Sequence, residues 1–316
     1  MKQLILILLS LNLFSNLYCQ ADKETRIYTA DIGNYWNAFD SIASTVDSAR
    51  QIEFIQTLYI DKASKGLKEF IRLRNFKATE WVRNIKRFPK FWNSIREKTE
   101  EIIKYWPEIE ILFNRFRELY PGLDQPYIYF TIGCLRSGGT TSGSKILIGS
   151  EIAAADSSTD AAEIGHWLQA VFASGQGILF YVIHETVHIQ QKNESSELLG
   201  KCIREGAADF IAEIILQKPL TAPYIIYGKA NEKAIVEKFM QVMYQSEHTD
   251  WLSNGGKKPK GEADLGYFIG YSICSSFYNR AIDKKQALRE IIELKFSSED
   301  KVHSFFELSG YAEKWK

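Results

Sequence analysis

Apolar side chains recur at helical spacing through the first third of the chain. Between residues 35 and 117, Ile, Leu, Phe and Trp fall three or four positions apart, with Glu, Lys and Arg between them. This periodicity predicts amphipathic helices, with breaks at Pro89 and Pro107, since proline interrupts a helix. The basic run at 83–87 lies beside Trp81 and is interpreted as a solvated helix face next to a core stripe, rather than as an anion site.

The pattern changes after the Tyr-Pro-Gly sequence at 120–122. Residues 127–132 are β-branched and aromatic and predict a strand, and residues 145–149 predict a second one. The glycines and hydroxyls of 137–144 resemble a phosphate-binding loop, but no Gly-Lys-Ser/Thr sequence follows them. We therefore expect a hairpin-like connection between the strands.

Helical periodicity returns from residue 177 onward. The predicted helices cover residues 177–191, 195–217, 228–246, 264–280 and 284–295. The fold class is therefore expected to be α+β, mostly helical with a small sheet. Residues 22–120 are expected to form a helical N-terminal region that either shapes a cleft in residues 121–316 or forms a separate lobe.

The N-terminal segment, residues 1–21, predicts a secretory signal peptide. Its apolar run at 4–14 is too short to span a bilayer, and cleavage is expected after Cys19 or Ala21. A lipid anchor on Cys19 is less favoured, because Tyr18 stands where lipoprotein signals usually carry a small residue. An uncleaved anchor is the other alternative. The protein is thus expected to be exported, to the periplasm or the medium, with no transmembrane span in the mature chain.

Composition narrows the class of protein without pointing to a partner. The 316 residues are 45% hydrophobic and 25% charged, which is typical of a folded domain. Lys and Arg number 39, as do Asp and Glu, so charge gives no reason to expect nucleic acid as partner. Beyond residue 21, only Cys134, Cys202 and Cys274 remain, too few for a disulfide framework, although one bridge stays possible. The absence of a C-x-x-C motif argues against a thiolate zinc site.

The candidate chemistry concentrates in the sequence His184-Glu185-Thr186-Val187-His188. Histidines four positions apart on a helix project from the same face, so both imidazoles can reach one divalent metal. Zinc accepts nitrogen ligands in a four-coordinate geometry with one position open to water. Glu185 can then act as the general base that takes a proton from the activated water. The alternative is an ordinary helix with one packed and one exposed histidine.

A third ligand is expected on the following predicted helix. Glu205 and Asp209 are four positions apart, and the small residues 206–208 between them allow another helix to approach closely. Glu205 is expected to coordinate zinc, and Asp209 to accept the proton on the second nitrogen of a ligating histidine. The alternative is a solvent-facing acidic pair on an amphipathic helix.

These motifs carry a resemblance to a known group of enzymes. His184-Glu185-x-x-His188 followed by Glu205-x-x-x-Asp209 resembles the zincin metallopeptidases whose third ligand is glutamate, the gluzincins. Glu205-Gly206-x-Ala208-Asp209 and Gly266-Tyr267-x-Ile269-Gly270-Tyr271 are similar to bacterial predicted zinc-dependent proteases, which are related to lipoproteins of the gliding machinery. The similarity spans residues 125–290, as short motifs separated by long unmatched stretches.

The resemblance implies a zincin-like fold for residues 121–316. It implies these roles: zinc ligands His184, His188 and Glu205, general base Glu185, and Asp209 behind a ligating histidine. It also implies that strand 145–149 forms the edge of the cleft and pairs with an extended peptide. Only 16 residues separate His188 from Glu205, fewer than in many gluzincins, which leaves the choice of ligand between Glu205 and Asp209 open.

A peptidase also needs a donor that stabilises the oxyanion. Tyr271 is the first candidate, Tyr267 the second and His248 the third. The two tyrosines share one face of the predicted helix 264–280. The alternative is that aromatic residues four positions apart belong to the core.

The expected function is an exported zinc peptidase that hydrolyses bonds in a peptide or protein substrate. The alternative is a non-catalytic, zincin-like binding protein of the cell envelope. Glu185 favours the enzyme, because a purely structural metal site has no need of a base. Metal-dependent hydrolysis of a non-peptide amide also stays open.

Overall fold

The computed structural model describes residues 26–258 and 262–315. The predicted signal peptide, with Cys19, lies outside these ranges and stays a prediction. None of the helices within them is both long and apolar enough to cross a bilayer. The three cysteines of the described chain, Cys134, Cys202 and Cys274, are buried free thiols, so the possible single bridge is not formed.

Helices follow one another from residue 30 to residue 119, as the apolar periodicity predicts. Their bounds are α1 Ala30–Ala43, α2 Ser48–Ile55, α3 Lys65–Arg74, α4 Ala78–Arg87, α5 Pro89–Glu100 and α6 Trp106–Leu119, with a π-helical turn at Gln56–Ile60 and a 3-10 turn at Ile102–Tyr105. The predicted breaks are confirmed: Pro89 starts α5 and Pro107 lies in the first turn of α6, where a missing N–H costs nothing. Asn75, in the left-handed conformation, ends α3.

In the described chain, four short strands form one sheet. They are β1 Ile27–Tyr28, β2 Tyr127–Thr131, β3 Gly139–Ser142 and β4 Lys145–Gly149, in the order β1-β2-β4-β3. Strands β1, β2 and β4 are parallel, whereas β3 is antiparallel to β4. A two-residue turn with Gly143 at positive φ joins β3 to β4. The predicted hairpin-like connection between strands 127–132 and 145–149 is wrong in its partners, because β2 and β4 are parallel; β3, which lies within the predicted loop 137–144, forms the hairpin with β4 instead.

The expectation that strand 145–149 forms the edge of the sheet is wrong. β4 lies between β2 and β3, and β3 forms the edge. The physical reason is composition: Ile146, Leu147 and Ile148 are completely buried, and such a continuous apolar run needs cover on both faces. The polar sequence of β3, Gly-Thr-Thr-Ser, tolerates the half-exposed edge instead.

The rest of the chain is again helical. The bounds are α7 Ser150–Ala153, α8 His166–Ser174, α9 Gly177–Gln190, α10 Leu198–Leu216, α11 Pro223–Ala230, α12 Glu232–Met240, α13 Leu265–Arg280, α14 Lys284–Ile292 and α15 Glu299–Ser309, with a 3-10 turn at Tyr311–Trp315. The predicted helices at 177–191, 195–217, 264–280 and 284–295 are confirmed to within a few residues. The predicted single helix at 228–246 is wrong. α11 ends before Asn231, whose side chain binds the Tyr227 carbonyl and competes with the helical pattern.

Helices cover both faces of the sheet at β3 and β4. Successive side chains of a strand point to opposite faces. A side chain at Gly139 would meet Glu185 of α9, whereas the Ser142 hydroxyl donates to Glu69 of α3 at 3.2 Å. α9 therefore covers one face of β3 and β4, and α3 covers the other. One continuous apolar core joins the N-terminal helices to the remainder. The division of the chain at residue 120 stays a prediction.

Candidate metal centre

α9 carries both histidines in an almost completely buried helix. Its sequence is apolar on every side, and His184 and His188 are 8% and 9% exposed. Their Nε2 atoms lie 3.1 Å apart. The four-residue spacing thus brings the two rings together as predicted.

α10 delivers the third side chain to the same point. Glu205 Oε2 lies 3.3 Å from His188 Nε2 and 3.9 Å from His184 Nε2. A tetrahedral zinc ion with bonds of about 2.1 Å needs ligand atoms about 3.4 Å apart. Together with the 3.1 Å between the histidines, the three separations bracket this value. The group of His184, His188 and Glu205 can therefore hold a metal ion.

Asp209 lies behind the first histidine. Its Oδ1 is 2.9 Å from His184 Nδ1, and its Oδ2 accepts a hydrogen bond from the Tyr224 hydroxyl at 2.8 Å. Asp209 is fully buried and contacts the ring nitrogen that faces away from the cluster. The two acids are therefore placed differently: Glu205 belongs to the group that can hold a metal ion, whereas Asp209 contacts the outer ring nitrogen of His184.

Gln191 does the same for the second histidine. Its Nε2 donates to the Arg204 carbonyl at 3.0 Å, so its Oε1, 2.7 Å from His188 Nδ1, is the acceptor. His188 therefore donates from Nδ1, as His184 does toward the Asp209 carboxylate. When both rings are neutral, the two Nε2 atoms turn lone pairs toward Glu205, and a cation at the centre, either a metal ion or a proton on Nε2, is needed to satisfy the three acceptors.

The charges of the cluster also favour a cation. Burial alone would lower the pKa of His184. The hydrogen bond to Asp209 and the charges of Asp209, Glu185 and Glu205 outweigh it and raise that pKa to about 9. Burial likewise acts to raise the pKa of Glu205, but His188, His184 and Arg204 hold it well below its ordinary value. In the metal-free protein, a proton on His184 therefore supplies the positive charge that a metal would replace.

Glu185 lies beside the cluster and beneath the edge strand. It is 7% exposed, and burial raises the pKa of its carboxyl against the opposing effect of His184 and His188. An ideal Cβ built on Gly139 would come within 2.6 Å of Glu185 Oε1. Only glycine therefore lets β3 lie this close to the carboxylate.

Gly138, one residue earlier, also lies too close to α9 for any side chain larger than that of glycine. A Cβ there would fall 2.4 Å from the ring of Tyr181, which lies one turn before Glu185 on α9. From the sequence, Gly138 and Gly139 were expected only to belong to the loop at 137–144. The pair of glycines entering a strand was the available signal for a close approach to another element.

The three candidate oxyanion donors are placed differently. The Tyr271 hydroxyl donates to Glu213 Oε1 at 2.7 Å, two turns beyond Glu205 on α10. His248 Nδ1 lies 3.3 Å from Lys201 Nζ. Tyr267 lies against the cluster: its ring stacks on His184, with centroids 6.4 Å apart.

Glycines set the close packing of α10 on α13. A Cβ on Gly206 would lie 2.0 Å from the Tyr271 backbone nitrogen, and one on Gly270 would lie 1.7 Å from the Cys202 carbonyl oxygen. The two helix backbones thus touch next to Glu205. This contact places α13, and Tyr267 with it, beside the histidines.

Comparisons of this chain with protein-family models, curated proteins and solved structures find no match.

Proposed function

We propose that this protein is a zinc-dependent peptidase. The observation that carries the proposal is the convergence of His184 Nε2, His188 Nε2 and Glu205 Oε2 at 3.1–3.9 Å, with Glu185 beside them. Two nitrogens and one carboxylate oxygen form the donor set that catalytic zinc takes when its fourth position is left to water or substrate.

The chain's own groups divide the chemistry between them. Bound zinc supplies Lewis acidity and lowers the pKa of water toward 7. In this mechanism Glu185 would accept a proton from the attacking water and deliver it to the leaving amine, and its raised pKa suits this exchange. Asp209 and Gln191 keep the two imidazoles oriented.

Tyr267 is proposed as the donor to the developing oxyanion. Its ring lies against His184, and burial and the surrounding carboxylates raise the pKa of its phenol, so it stays protonated and able to donate. Tyr271 is engaged with Glu213 and is proposed to support the packing of α13 on α10.

β3 offers a place for an extended substrate. Gly138 accepts a hydrogen bond from the Gly149 N–H, and paired residues alternate between bonded and non-bonded along antiparallel strands. The N–H and C=O groups of Gly139 and Thr141 therefore face away from β4. A peptide added along this edge would lie beside Glu185.

The proposal is tested by metal analysis and cleavage of a peptide library. We expect about one zinc per chain, cleavage that stops with chelator and returns with zinc, and no cleavage by Glu185→Gln, which keeps its metal. Absence of zinc in the wild type, or full activity of Glu185→Gln, would contradict the proposal. Bound zinc without any cleavage would favour the non-catalytic binding protein.

A further inference from the structure

A cationic side chain from the N-terminal helices reaches the edge strand. Arg74 is the last residue of α3, which ends there because Asn75 adopts the left-handed conformation. Its Nη2 lies 3.5 Å from the Gly139 carbonyl oxygen, at the outward edge of β3. Since Gly139 also lies against Glu185, the guanidinium and the proposed base both lie next to the same residue of β3.

The donors of Arg74 are nearly unused. Its Nε is buried without a hydrogen-bond partner, and no carboxylate of a described residue lies within 4 Å of its guanidinium. The arginines on either side are paired, Arg72 with Glu69 and Arg136 with Glu80. A buried donor without a partner is unfavourable, so the unused donors of this guanidinium are available to an acceptor that arrives from outside.

The one hydrogen bond of the guanidinium is weak. Nη2 donates to the Gly139 carbonyl at 3.5 Å, the limit for a hydrogen bond, and that carbonyl also accepts from the Ser137 hydroxyl at 2.7 Å. The backbone of Arg74 is fixed, because Arg136 Nη2 donates to its carbonyl at 2.7 Å. The side chain is thus anchored at its base, and most of its donors are left for another acceptor.

We propose that Arg74 binds a carboxylate of the substrate next to the bond that is cleaved. The inference rests on the proposed peptidase function and adds to it a substrate class: peptides with an anionic group beside the scissile bond. The planar guanidinium pairs with a carboxylate through two parallel hydrogen bonds, a match that neutral side chains cannot offer. The carboxylate belongs either to an Asp or Glu side chain or to the C-terminus of the peptide.

Binding to the zinc-loaded Glu185→Gln protein tests this without turnover. Fluorescent peptides of equal length would carry Glu or Gln at each internal position in turn, with a free or an amidated C-terminus. We expect one carboxylate-bearing member to bind roughly 10- to 100-fold more tightly than its neutral partner, the range for a hydrogen bond to a charged group. An internal Glu preference would indicate an endopeptidase, and a free C-terminus preference a carboxypeptidase.

Substitutions of Arg74 test whether its guanidinium is responsible for the preference for a carboxylate. In the Glu185→Gln protein, Arg74→Met is expected to abolish the preference for a carboxylate. Arg74→Lys is expected to retain part of this preference, since the ammonium keeps the positive charge but lacks the two parallel N–H donors of the guanidinium. Arg72→Met is the matched control, because Arg72 is exposed and paired with Glu69. Equal binding of charged and neutral peptides, or a preference that survives Arg74→Met, would overturn the inference. Cleavage without charge preference defeats this inference alone, whereas zinc-loaded wild type that cleaves nothing defeats the proposed function.

Discussion

At the scale of single residues, the partners of the two outer ring nitrogens define the centre. Asp209 holds His184 and Gln191 holds His188, so both Nε2 atoms are directed toward Glu205. Asp209 could be predicted from its four-residue spacing to Glu205. Gln191 could not, because it follows the end of α9 and its amide is oriented by a carbonyl of another helix.

Asp209→Asn is expected to weaken zinc binding about 10- to 100-fold. The amide removes the charge that stabilises the Nδ1 proton of His184. Tyr224→Phe, which removes one hydrogen bond from Asp209, should have a smaller effect in the same direction. Competition with a zinc-binding dye measures both. Tyr227→Phe, on the same helix but without contact to Asp209, is the control, and unchanged affinity in Asp209→Asn would contradict the assignment.

Zinc binding is expected to release a proton at neutral pH. The pKa of His184 is raised to about 9, so at pH 7 its imidazole carries a proton that the metal must displace. The apparent zinc affinity should therefore increase tenfold per pH unit toward pH 9 and then level off. Titration calorimetry at pH 7, in two buffers of different ionisation enthalpy, counts the protons. If zinc binding releases close to no protons, His184 is neutral before the metal binds, and the expectation is wrong.

At the scale of elements, the contact between α10 and α13 positions both a ligand and the proposed oxyanion donor. The small residues 206–208 of the predicted helix 195–217 indicated close packing, and the structure confirms it at Gly206, which meets the α13 backbone beside Gly270. The choice of edge strand was not predictable in the same way. Which strand lies at the edge depends on pairing among β2, β3 and β4, and no local pattern within one strand specifies its neighbours.

Gly270→Ala is expected to lower the free energy of unfolding by about 3 kcal/mol and to weaken zinc binding. Its methyl group would collide with the Cys202 carbonyl, so α10 must shift and carry Glu205 with it. Gly33→Ala is the control: this exposed glycine of α1 has nothing within 4 Å of a new Cβ. It should raise the free energy of unfolding by about 0.5–1 kcal/mol. Denaturant titration and zinc titration measure the two effects, and equal stability of both variants would contradict the packing argument.

At the scale of the whole molecule, the N-terminal helices hold the segment that leads into β3. The Ile132 carbonyl accepts hydrogen bonds from the Tyr59 hydroxyl at 2.6 Å and from Trp81 Nε1 at 3.2 Å. From the other side, the fully buried Glu151 carboxylate accepts the N–H groups of Gly133 and Leu135. The edge strand of the cleft is therefore positioned by contacts from both parts of the chain.

Metal-free protein is expected to lose stability as the pH rises from about 4.5 to about 7. Burial raises the pKa of Glu151 to about 7, against the lowering effect of hydrogen bonds from the backbone N–H groups of Gly133, Leu135 and Glu151 itself. The folded state thus binds more protons than the unfolded state in this window, so the free energy of unfolding falls with pH, by on the order of 3 kcal/mol. Above pH 7 this contribution levels off.

Glu151→Gln provides the comparison. Its free energy of unfolding should lack this part of the pH dependence, whatever its absolute stability, because the amide does not titrate. Denaturant titrations at several pH values, with chelator present, measure the difference. Parallel curves for wild type and Glu151→Gln would show that the carboxyl does not titrate on unfolding.

The sequence by itself determined the features that depend on residues close to one another along the chain. The spacing of His184 and His188 places both rings on one helix face, and the spacing of Glu205 and Asp209 does the same for the acids. Apolar periodicity predicted most of the helices and strands β2 and β4, but neither the helix break at Asn231 nor strand β3. Tertiary structure decided the rest. Arg74 and Gly139 meet although they are 65 positions apart in the chain, and Tyr267 lies against His184 although it comes 83 positions later. Periodicity records which face of an element is buried but not which other element covers it, and these contacts depend on that pairing.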